Sequence, residues 1–128
     1  MTRLAEDIGI QTEDGYAVLI GKGTELTGHL VHTELLSTGA EYQRSIKLKL
    51  VATNPAADQA WRKLGEIELA GIKPAPRGVP QIRLRVTITA SGLVDAGVHE
   101  LGTGNFHTCP CTPVAVVDDY ECQRVSRL

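Results

Sequence analysis

Aromatic residues are scarce in this chain: one Trp, one Phe and three Tyr stand among 128 residues. Trp61, Phe106, Tyr16, Tyr42 and Tyr120 are dispersed. Modules that stack bases or sugars need aromatic faces grouped on one surface, and nothing in this spacing groups them, so stacking is not the expected mode of recognition. An excess of charge is also missing. Thirteen basic and 15 acidic residues leave a formal net charge of −2, and the basic ones are scattered rather than striped. Each contact to a phosphate backbone needs a placed Lys or Arg, so no nucleic-acid partner is expected. No apolar run approaches the roughly 18 residues of a membrane span, and the opening MTRLAEDIG lacks the apolar stretch of a secretion signal. The expectation is a cytoplasmic protein without a membrane partner.

What is present suffices for a core. Hydrophobic residues make up 42% of the chain, and at this length a fold buries roughly two-thirds of the surface its unfolded form exposes, so neither disulfides nor metal are needed. One domain spanning 1–128 follows, with no repeat or domain-sized break.

The apolar pattern has mostly period two, the signature of strands with one dry and one wet face. In Gln81–Thr89, Ile82, Leu84, Val86 and Ile88 alternate with Arg83, Arg85, Thr87 and Thr89. Ile46, Leu48 and Leu50 alternate with Lys47, Lys49 and Val51, and Gly65, Ile67 and Leu69 with Glu66 and Glu68. Tyr16–Ile20, Val31–Leu36, Leu93–Val98 and Val114–Val117 add shorter stretches, separated by turn signals such as Asp14-Gly15, Gly21–Gly23 and Ser91-Gly92. The sum predicts an all-β sandwich of about eight mostly antiparallel strands. Only Ala56–Leu64 has a pattern suited to a helix, of about two turns.

One stretch is longer and more specific than any of these. Residues 64 to 92, LGEIELAGIKPAPRGVPQIRLRVTITASG, resemble the substrate-binding β-sandwich of the DnaK-like family of seventy-kilodalton heat-shock chaperones, in which a strand runs through a PAPRG elbow into a long alternating strand. Upstream the resemblance takes in Ile8–Thr12, Leu19–Thr24, Ser37-Thr38, Gln43 and the Ile46/Leu48/Leu50 strand, and it covers residues 8 to 104; the tail over 105–128 diverges from the family pattern. The elbow makes physical sense by itself. Pro74 and Pro76 fix φ, Gly78 admits conformations other residues resist, and Pro80 can begin a strand without donating a ladder hydrogen bond.

The resemblance implies a domain that binds short, extended, hydrophobic segments of unfolded polypeptides. It implies a pocket of Ile10, Leu36, Ile46, Leu48 and Ile82, all aliphatic, although periodicity alone reads each as a plain core residue. Glu13 and Gly39 would stand where the family arches over the peptide backbone, with backbone contacts at Ser37, Gly39 and Gln43. Glu13 departs from the apolar residue usual there; with Asp14 beside it, it would favour ligands flanked by Arg or Lys. Arg77 occupies the position that latches a helical lid. Neither a linker to an ATPase domain nor a lid is apparent in this sequence, so the chain reads either as a piece of a larger chaperone or as a truncated relative that does not cycle with ATP.

Other chemistry finds little support. His107, Cys109, Cys111 and Cys122 could together supply zinc ligands, but structural zinc prefers C-x₂₋₄-C and Pro110 stiffens a spacing already too short. Cys122 could pair with either other cysteine, though free thiols are the expectation in a cytosolic setting. No triad or phosphate loop is evident, so no cofactor is expected, and any ATPase activity would reside in a separate domain. The final CQRVSRL places Val125 and Leu128 near arginines, the kind of peptide such a domain would favour, which suggests docking in its own cleft or a neighbour's. The rival reading, from another class, is an interaction module that has kept the sandwich and lost the cleft.

Overall fold

Alternation of side chains across a pleated strand needs a partner layer to cover the apolar face, and the computed structural model supplies it. It describes residues 2–12, 15–37, 45–54, 60–71, 76 and 79–118. Among them are eleven strands: β1 (Thr2–Leu4), β2 (Asp7–Thr12), β3 (Gly15–Ile20), β4 (Glu25–Leu26), β5 (His29–Ser37), β6 (Ser45–Thr53), β7 (Arg62–Ala70), β8 (Pro80–Thr89), β9 (Val94–Glu100), β10 (Phe106–Pro110) and β11 (Val116–Asp118). The expected all-β sandwich is present, with eleven strands rather than eight. Every pairing is antiparallel.

Two four-stranded sheets, ordered β3-β2-β6-β7 and β10-β9-β8-β5, face each other. A three-stranded sheet, β11-β1-β4, adds Leu4 and Leu26 to the same core. The first large sheet contributes Ile8, Ile10, Leu50, Leu64 and Leu69; the second contributes Ile82, Leu84, Val86, Ile88 and Val98. The arginines and threonines that alternate with the β8 aliphatics turn to the opposite face, as period two requires. Residues 50–53 of β6 are all buried, and a bulge falls between Leu50 and Val51.

The expected helix over Ala56–Leu64 is not formed among the described residues of that segment. Arg62–Leu64 lie in β7 and residues 55–59 fall outside the described residues. The strand wins because Leu64 is needed in the core, and because the Arg62 guanidinium donates to the buried Glu6 carboxylate at 2.7 Å. Glu6 also accepts from the Ala115 backbone N–H at 3.0 Å. One buried carboxylate thus joins the residues after β1, the start of β7 and the approach to β11.

Of the elbow between β7 and β8, Pro76 and Val79-Pro80 are described. The Val79 N–H donates to the Pro76 carbonyl at 3.2 Å, and Pro80 opens β8 as its missing donor allows. Gly92 has φ of 90° and its Cα faces the Val114 carbonyl so closely that a side chain would strike it. Both facts demand glycine at this turn.

Candidate functional site

Four strand ends converge at one end of the sandwich. β2 ends and β6 begins side by side in one sheet, while β5 ends and β8 begins side by side in the other. β5 and β6, consecutive strands in the chain, lie in different sheets. The five expected pocket residues all lie here. Leu36 stands opposite Ile82 in the β5/β8 pair, Ile10 opposite Leu50 in β2/β6, Ile46 opposite Leu69 and Leu48 opposite Ile67 in β6/β7.

Their burial divides them. Ile10 and Ile82 are 4% and 0% exposed and belong to the core proper. Leu36, Ile46 and Leu48 pack against that core yet remain only half-buried. These three therefore leave part of their apolar surface uncovered beside fully covered neighbours. Leu50, Ile67 and Leu84 join Ile10 and Leu48 around a cavity of about 10 Å³ between the sheets. That is room for a single water; a leucine side chain enters it only if the walls move apart.

Ser37 closes β5, across a bulge from Pro80. Glu13, Gly39, Gln43 and Arg77 lie outside the described residues, as do Cys122 and the tail carrying Val125 and Leu128.

On the opposite face of the β6/β7 pair, Lys47 meets Glu66 at 2.9 Å and Lys63 meets it at 3.2 Å. Hydrogen bonds from Lys47 and then Lys63 hold the Glu66 carboxyl below the usual carboxylate value, and Glu66 in turn raises Lys47. This is a solvated ion cluster on a strand surface. The dispersion of aromatics in sequence does not survive folding, since Tyr16 and Trp61 stack with ring centroids 5.0 Å apart and planes 10° from parallel. Residues 45 apart in sequence give no periodic signal for such a contact.

Another grouping was invisible in sequence. Gly65, at an inward position of β7 where a large aliphatic would fit the alternation, has Cys109 and Cys111 packed over it: a Cβ there would lie 3.3 Å and 2.8 Å from their sulfurs. Burial, followed by the neighbouring Cys109, pushes the Cys111 thiol up to about 12. Nearby, the ring of His107 meets the buried Glu100 carboxylate at 2.6 Å.

Compared with known families, the chain matches the family model described as "Hsp70 protein" over residues 5–127. That range extends beyond 104, through β10 and β11, into the segment whose sequence departs from the motif pattern.

Proposed function

The chain belongs to the Hsp70 family, and from that premise, which carries a chaperone-related role, we propose that it binds short extended apolar segments of unfolded polypeptides at the end of the sandwich where β2, β5, β6 and β8 meet. The observation that carries the reading is the half-buried trio Leu36, Ile46 and Leu48 around the fully buried Ile10 and Ile82. Loop backbone at such a site offers sequence-independent hydrogen bonds, while the aliphatic floor selects a Leu- or Ile-like side chain. Burying one such side chain contributes on the order of 1.5–3 kcal/mol, which suits weak and promiscuous capture. Glu13 and Asp14, between β2 and β3 in sequence, favour ligands with flanking Arg or Lys. In this reading the chain binds and does not itself catalyse.

The test is fluorescence anisotropy of a labelled leucine-rich peptide with lysine flanks. Wild type gives saturable binding; Leu48→Asp abolishes it while circular dichroism still shows a β-sheet spectrum. Binding that survives Leu48→Asp overturns the assignment of the site.

A second reading, an interaction module assembling through a strand edge, is favoured by β5. It is the outer strand of its sheet, nine residues long, with Val31 and Leu35 exposed. That reading requires self-association which Val31→Lys disperses, with no saturable peptide binding.

A further inference from the structure

Along one seam of the sandwich the edge strands β7 and β10 come together. The Thr112 N–H donates to the Leu64 carbonyl at 2.9 Å, and the Cys109 thiol points at the Glu66 carbonyl, 3.6 Å away. Cys109 and Cys111 are separated by one residue in extended chain, so their side chains leave the same face. Both sulfurs crowd the bare Cα of Gly65, and the Cys111 thiol points back to the Cys109 carbonyl at 3.5 Å. In an extended segment, Cα atoms two residues apart are about 6.6 Å from each other, inside the range a disulfide spans.

The two thiols differ in access. Cys109 borders an open groove of about 380 Å³ on the outer face, with Arg85, Asp95, Phe106 and Thr108, as well as the interior cavity. Cys111 lines the interior cavity, and its thiol is held protonated at neutral pH.

We propose that Cys109 and Cys111 form a reversible dithiol–disulfide couple whose oxidant is hydrogen peroxide. Cys109 gives its proton to solvent, and the thiolate attacks one peroxide oxygen. The S–O bond forms as the O–O bond breaks, and the departing hydroxide leaves as water once protonated. Cys111 then attacks the sulfenic sulfur. Its own proton leaves with the sulfenic hydroxyl as a second water, and the S–S bond closes. The sulfur pair loses two electrons and the peroxide gains them. A ring this short is strained, which makes the bond easily reduced and suits a switch better than a structural staple. The closed ring would also change the wall that Gly65 and the two sulfurs give to the cavity shared with Ile10 and Leu48.

The experiment uses the full chain carrying Cys122→Ser, treated with hydrogen peroxide, blocked with N-ethylmaleimide and weighed by mass spectrometry. The expected product has lost two hydrogens, carries no maleimide, stays monomeric through this step and regains both thiols in dithiothreitol. Cys111→Ser in the same background traps a sulfenic acid on Cys109 that dimedone labels; Cys109→Ser loses the peroxide response. Two thiols that remain alkylatable, sulfinic acid without a disulfide, or disulfides only between chains would each overturn the proposal. In the unsubstituted chain, the crosslinked peptide is expected to join Cys109 to Cys111; predominant linkage to Cys122 overturns it as well.

Discussion

Leu36 on β5 stands directly opposite Ile82 on β8, and the first is half-buried while the second is completely enclosed. Two aliphatics in one cross-strand pair therefore have different work. Ile82→Ala removes core volume and is expected to cost about 2–5 kcal/mol in urea unfolding. Leu36→Ala is expected to cost less than about 1.5 kcal/mol in stability but to weaken apolar peptide binding roughly tenfold, since about 1.4 kcal/mol of burial is lost at the ligand. Unchanged peptide affinity in Leu36→Ala would remove that residue from the site.

The Glu6 carboxylate is a second point of leverage. Arg62→Ala leaves it without its cation, and Glu6→Ala leaves the Ala115 N–H without its acceptor. Because Arg62 is partly exposed, water compensates in part; each variant is expected to lose about 1–3 kcal/mol of unfolding free energy. The two losses in the double variant should sum to more than it actually shows, because both remove the same pair.

Glu66 supplies a pH dependence. Its carboxyl titrates below 4.5 because Lys47 and Lys63 donate to it, so its contribution is complete above pH 4.5 and fades as pH falls through its lower folded value. Lys47, raised above 10.5, contributes below that pH and loses its contribution as pH rises through its folded value. A carboxyl-detected NMR titration checks this. Lys47→Met should move the Glu66 midpoint part of the way back to 4.5, and 1 M salt should do much the same by screening.

Gly65 tests the packing of the thiols. Gly65→Ala places a Cβ 2.8 Å from the Cys111 sulfur and is expected to destabilise by about 1–3 kcal/mol. Adding Cys111→Ala removes the obstructing sulfur, so the pair should be less damaging than the sum of the two changes. Simple additivity in a double-mutant cycle would mean that the sulfur is not what excludes a side chain there.

How much of this was legible depended on periodicity. β6, β7 and β8 carry several apolar repeats each, and their registers follow from the alternation. β1, β4 and β11 are two or three residues long, too short for any period to show. β10 is almost wholly exposed and contains a histidine, a threonine and a terminal proline; its pairing with β9, not its own pattern, makes it a strand. Residues 62–64 had a helix-compatible sequence, but Leu64 and Arg62 are claimed by the core and by Glu6. For the site, the sequence marks Ile10, Leu36, Ile46, Leu48 and Ile82 as inward aliphatics. Which of them is left half-covered is a property of the sandwich end, set by strand lengths on two different sheets. The cysteine cluster needed Gly65, more than forty positions upstream, and no local pattern links them.

The small sheet also determines how the domain answers to force. Thr2 lies opposite Asp118 in the β1/β11 ladder, with Leu4 opposite Val116. Tension applied through the residues before Thr2 and after Asp118 therefore acts at the same end of that ladder and peels its bonds open in succession, where a shearing pull would load them together. Under such a pull the β1–β11 pair gives way at low force, and the long ladders of β5, β6, β7 and β8 come under load only afterwards.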